Sequence, residues 1–193
     1  MSTRRRLSTA ERRAVILDAA RDAFAAAPYP EVSVPAIAAA SGSSQALVFH
    51  YFSAKAGLHA AVVADAVSRL HAAQDAAVGQ LAPGQPVRDR VRELLIVHLD
   101  HVRTDSSLIS GPGEPSATRA VRDDARADLV TRLAELLGTT GVARHDWALR
   151  GWVGFLDRVA RRWHEAGCPE DERWPLIEAA LGALEGALGD WRV

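Results

Sequence analysis

Residues 33–58 read SVPAIAAASGSSQALVFHYFSAKAGL, and the reading of this stretch decides the fold. Ser33 precedes an apolar run in which Val34, Ile37, Ala38 and Ser41 share one helical face, so it is placed to cap a short helix. Pro35 fits the first turn of that helix, where a missing N–H loses no bond. Gly42 supplies the positive φ of a sharp turn, and Ser44 caps a second short helix reaching about Tyr51. Helices joined this tightly cross steeply. Ala38 is small enough for the crossing, and Ile37, Val48 and Phe52 fill the wedge behind it. Gln45, Ala46, Leu47, Phe49 and His50 are then left without a core role. Such a set suits a helix laid in the major groove of DNA, since Gln pairs with adenine edges and Leu lies against a thymine methyl. Lys55, the only lysine in the chain, closes the run.

Outward from this segment the periodicity stays helical. A first helix is expected over 9–27, capped by Ser8 or Thr9, with Ile16, Ala20, Ala23, Phe24 and Ala27 as its apolar stripe and Pro28 and Pro30 ending it. Downstream, helices are expected over 55–81, 87–103, 106–110, 116–137, 146–166 and 174–188. The breaks are Ala82-Pro83-Gly84-Gln85-Pro86, Gly111-Pro112-Gly113-Glu114-Pro115 and the turn at 138–141. The fold class is all-α, with about nine helices.

At 193 residues, 48% apolar and 24% charged, the chain is long enough for a real core and ordinary for a globular protein. The net charge of −1 hides an asymmetry. Residues 1–59 hold six Arg and one Lys against four acids, a net of +3, and the remainder carries −4. A basic head on an acidic body is expected where the head meets phosphate. Cys168 is the only cysteine, which excludes an intrachain disulfide and points to a reducing cytoplasm. Arg4, Arg5 and Arg6 do not open an export signal, because Glu11, Arg12 and Arg13 interrupt at once. They read as a solvated tail in preference to a minor-groove arm. No apolar segment is long enough to span a bilayer, so no membrane partner is expected.

The helix-turn-helix residues resemble the DNA-binding domain of the TetR family of bacterial transcriptional repressors. The resemblance is carried by Ser33, Ile37-Ala38, Gly42, Ser44, Ala46, Val48-Phe49, His50-Tyr51-Phe52 and Lys55. It implies a helix-turn-helix domain over 1–56 and a helical ligand-binding and dimerisation domain over 57–193. It also implies that Ser33, Ser44, Tyr51 and Lys55 contact phosphate, while Gln45, Ala46, Leu47 and His50 face base edges or nearby backbone. Phe49 stands where Tyr is usual, Ser43 where an aliphatic is usual, and Ala46 where Gly is usual. The missing hydroxyl at Phe49 shifts the phosphate grip toward Ser44, Tyr51 and Lys55.

A protein with one reading helix per chain needs a second copy to span two half-sites. Trp152, Leu156, Val159 and Trp163 on one late helix, and Leu181, Leu184 and Leu188 on the last, are the expected homodimer interface. The resemblance further implies an effector pocket among the middle helices, for which Leu94, His98, His101, Val102, Leu129, Leu133 and Trp147 are candidates, suiting a small, largely apolar molecule. His98, His101 and Asp105, and separately His164 and Cys168, stand at spacings that metals use, but neither set has a convincing third and fourth ligand. No metal or cofactor is expected. The expected function is a homodimeric repressor that binds a palindromic operator through residues 45–51 and is released by an effector. An all-α enzyme is the alternative, disfavoured because no G-x-S-x-G, H-E-x-x-H or P-loop occurs. A helical adaptor binding only protein is disfavoured by the exposed face at 45–50.

Overall fold

The computed structural model describes residues 7–189; Arg4, Arg5 and Arg6 lie outside them. Among the described residues there are eight α-helices, two 3₁₀ turns and no strand. The helices are α1 (Thr9–Ala26), α2 (Val34–Ala40), α3 (Gln45–Phe52), α4 (Lys55–Gly79), α5 (Val87–Thr104), α6 (Ser116–Leu137), α7 (Ala143–Glu165) and α8 (Glu170–Leu188). The 3₁₀ turns are Tyr29–Glu31, which periodicity does not show, and Ser106–Leu108, which stands where a short helix was expected. The last helix begins one turn before the expected start at 174. Glu170, Asp171 and Glu172 in its first turn complement the positive end of the helix dipole. No single helix among the described residues is long and apolar enough to cross a membrane.

Contacts divide the chain into two compact units. Unit 1 runs to Asp65 and also takes in Ser110–Val121, and unit 2 comprises Ala66–Ile109 and the chain from Arg122 onward. The division thus falls inside α4 rather than at its start. It gives the head a distant segment that a linear division at 56/57 does not contain.

Unit 1 begins with a reciprocal cap. Ser8 Oγ accepts the Glu11 N–H at 3.2 Å and Glu11 Oε2 accepts the Ser8 N–H at 2.7 Å, so α1 starts firmly. Ile16 and Leu17 of α1, Val34 and Ile37 of α2, Val48 and Phe52 of α3, and Leu58 and Val62 of α4 form its core. Ala38 is buried at the crossing of α2 and α3, and Gly42 has φ +59°. Ser43 N–H returns to Ala38 O at 2.8 Å, which closes the turn.

Unit 2 packs α5, α7 and α8 around Leu95, Leu99, Leu149, Trp163, Ile177 and Leu181. Trp152 Nε1 donates to Ala180 O at 2.7 Å and fastens α7 to α8. Arg88 of α5 bonds Glu185 at 2.7 Å and Glu178 at 3.2 Å on α8. Arg122, itself buried, donates to the carbonyls of Ser107, Leu108 and Ile109. Burial pushes the Asp105 carboxyl up, but the Arg69 guanidinium and the Ser107 N–H override that and hold it below the ordinary carboxylate range.

Candidate nucleic-acid interface

α3 is only eight residues long, and its two faces differ sharply. Val48 and Phe52 enter the core, while Gln45, Ala46, Phe49 and His50 are exposed; Phe49, at 37%, is a large apolar ring open to water. Leu47 and Tyr51 sit between the faces, half-buried and packed against the core. Leu47 is therefore more committed to packing than the sequence reading assigns it. The outer face is short, mixed and convex, and a groove with both polar edges and methyl groups complements it.

Both serines have local work. Ser33 Oγ accepts the Ala36 N–H at 3.5 Å and Ser44 Oγ accepts the Leu47 N–H at 3.1 Å. Capping uses the oxygen as acceptor and leaves each hydroxyl hydrogen to donate, so a phosphate oxygen can be held without loss of the cap. Both residues are exposed. Lys55 opens α4, and its Nζ donates to Pro30 O at 3.2 Å while standing 4.6 Å from the centre of the Tyr29 ring. Arg13 adds a second cation beside the helix-turn-helix, its guanidinium 4.9 Å from the centre of the Phe52 ring.

Gly57 is a positional requirement that sequence reasoning passed over. A Cβ there would overlap the backbone carbonyl oxygen of Phe52, at the end of α3. Ser53, between the two helices, has φ +63°, so the chain turns abruptly and brings the α4 backbone against α3. The signal in the sequence was a glycine three residues into a helix, where one is ordinarily unfavourable.

Residues 16–62 match the profile of the bacterial regulatory proteins of the tetR family. This N-terminal segment is a TetR-family domain. Its fold is similar to that of a tetR-family transcriptional regulator from Streptomyces coelicolor, at 25% identity, with 95% of this chain and 81% of that one covered and a TM-score of 0.73. A TetR-like transcriptional regulator from Rhodococcus sp. RHA1 is 27% identical, with 96% and 100% covered and a TM-score of 0.70. No curated protein matches it. Members of the TetR family are regulators and not enzymes, so the enzyme alternative falls away.

The residues expected at a dimer interface and in an effector pocket differ in burial. Trp152, Leu156, Trp163, Leu181, Leu184 and Leu188 are buried inside unit 2, and Val159 is half-buried against the same core. They hold α7 and α8 to their own chain. Amphipathic spacing shows that a helix has an apolar stripe, but not whose core it enters. Of the pocket candidates, Trp147 is 75% exposed and cannot line an interior site. Val102 and Leu133, at 0% and 1% exposed, are packed on every side and face no cavity as large as a water. Leu94, His98, His101 and Leu129 are half-buried.

His98 faces Asp157 and His101, and burial pushes its imidazole down to about 4. His101 Nδ1 donates to Val97 O at 2.9 Å, and His164 Nδ1 to Val102 O at 3.1 Å with Cys168 Sγ 3.9 Å away. Burial raises the Cys168 thiol above its ordinary value. Among the described residues no three His, Cys, Asp or Glu side chains converge on a point that could hold a metal.

Proposed function

We propose that this regulator is a homodimeric repressor that reads a palindromic operator through α3 and is released by a small, largely apolar molecule. The exposed face of Gln45, Ala46, Phe49 and His50 carries the reading, because a helix with only a structural task would not offer that set to solvent. Ser33, Ser44, Tyr51 and Lys55 fix the register on phosphate, and the exposed face selects sequence. Leu94, His98, His101 and Leu129 remain the candidates for effector contact. Effector binding lowers DNA affinity by favouring a conformation in which the two reading helices no longer match the half-sites.

The second copy is assigned to the outward faces of α7 and α8. Gly151 and Gly154 on α7, and Gly182 and Gly186 on α8, are exposed, and a Cβ at any of them would meet nothing within 4 Å. Packing within the chain therefore does not require them. Each costs a helix about 1 kcal/mol relative to alanine. Close approach of a second copy's helices gives them a use. Trp147 and Trp174, 75% and 51% exposed on the same two helices, add large apolar area.

The test is a gel shift with DNA from upstream of the regulator's own gene. A discrete complex that is lost at high salt is expected, and no binding under any condition would remove the repressor reading. Lys55→Ala should weaken operator and random DNA about equally and lower the slope of log K against log salt by about one. For the dimer, sedimentation at micromolar concentration should give twice the monomer mass. The double variant Gly182→Leu, Gly186→Leu should shift it to monomer with helicity unchanged. A wild-type chain that sediments as a monomer would refute the assignment.

A further inference from the structure

Lys55 is tethered on two sides within unit 1, and its tether is held by a segment remote in sequence. Its ammonium bonds Pro30 O at 3.2 Å and stands 4.6 Å from the Tyr29 ring centre. The Tyr29 ring packs in turn against His59, with centroids 5.1 Å apart, and stacks on Phe24 at 6.0 Å. His59 lies edge-on to Phe24 at 4.6 Å. On its far side, His59 Nδ1 is 2.8 Å from Thr118 Oγ1, 59 positions later in the chain. Thr118 is fully buried. Gly113, with φ +71°, approaches Pro30 so closely that a Cβ would stand 2.8 Å from Pro30 Cγ. The Tyr29–Pro30 turn is thus gripped from one side by Phe24 and His59 and from the other by Gly113.

We propose that Tyr29, with the Ser110–Val121 segment behind it, is a positioning element for DNA binding that holds the Lys55 ammonium ready for phosphate. The proposal rests on the reading of Lys55 as a phosphate contact. A free lysine has four rotatable bonds and loses that freedom when it grips a phosphate. Here the loss has already occurred on folding, through a hydrogen bond and a cation–π contact. Only one of the three ammonium donors is engaged by Pro30, which leaves two for a phosphate. None of the holding residues lies on α3, so they act on affinity for any DNA and not on the choice of sequence.

The experiment measures binding of the full chain to a fluorescently labelled random-sequence duplex by anisotropy across a salt series. Tyr29→Leu and Gly113→Ala should each weaken binding roughly three- to tenfold and reduce the salt slope toward that of Lys55→Ala. Tyr29→Phe, which keeps the ring, should bind as wild type. In the Lys55→Ala background, Tyr29→Leu should have no further effect, because both changes remove one contribution. Additive losses, or a salt slope that Tyr29→Leu leaves unchanged, would overturn the proposal. If Tyr29→Leu lost helicity, the comparison would rest on Gly113→Ala alone, judged by the same cycle. An unchanged slope for Lys55→Ala itself would instead refute the phosphate reading beneath it. The two failures are therefore distinguishable.

Discussion

Gly57→Ala should reduce DNA affinity about ten- to hundredfold while leaving unit 2 intact. The usual effect of this substitution inside a helix is the opposite, a gain of up to about 1 kcal/mol. Here the added methyl would overlap the Phe52 carbonyl oxygen, a backbone atom that cannot rotate away. Relief requires α4 to move from the end of α3, and such overpacking costs about 1–3 kcal/mol. α3, the helix whose outer face meets the groove, then loses its fixed placement against α4, so the strain is felt in binding. Anisotropy against operator DNA gives the affinity. Tryptophan fluorescence gives the control, because Trp147, Trp152, Trp163 and Trp174 all lie in unit 2. Wild-type affinity in the alanine variant would show that α3 and α4 accommodate a methyl and that their close approach has no functional weight.

The second large effect is on stability in mild acid. Burial holds the His98 imidazole down to about 4, with His101 pushing the same way and Asp157 opposing, whereas the unfolded chain titrates near 6.5. Between those values the unfolded chain takes up a proton that the folded chain refuses. The stabilisation is therefore complete above about 6.5 and drains away as pH falls toward 4. From pH 7 to pH 5 the loss from this one residue comes to about 2 kcal/mol. His71 is depressed in the same sense, by burial first and then by Arg132, and adds to the trend. Chemical denaturation followed by tryptophan fluorescence at pH 7 and pH 5 should show the decline in wild type and a much flatter response in His98→Leu. An equal decline in both proteins would place the proton uptake elsewhere.

The reading head was legible because its determinants are local. Ser33 and Ser44 announce helix starts, Gly42 a turn, and Ala38 a close crossing, and each acts within a few residues of itself. α8 begins ahead of the expected 174 because its first turn, Glu170, Asp171 and Glu172, is acidic and carries no apolar period. What the sequence could not reveal depends on contacts across long separations. Nothing near Gly113 or Thr118 says that these residues meet Pro30 and His59. The outward glycines of α7 and α8 are not among the expected interface residues, because only burial separates the large residues turned inward from the small ones turned outward. Leu181 and Gly182 are neighbours in the chain with opposite fates, and period alone does not say which faces the chain's own core.

The chain's single lysine lies in unit 1 and its single cysteine in unit 2. Lys55 and Cys168 are therefore orthogonal chemical handles that need no engineering. A succinimidyl ester will modify Lys55 and, apart from it, only the α-amino group. A maleimide will modify Cys168, slowly, because burial keeps the thiol protonated. A donor dye on one and an acceptor on the other would turn the native sequence into a ruler between the two units. DNA should shield the amine from acylation, so the extent of labelling is itself a binding assay.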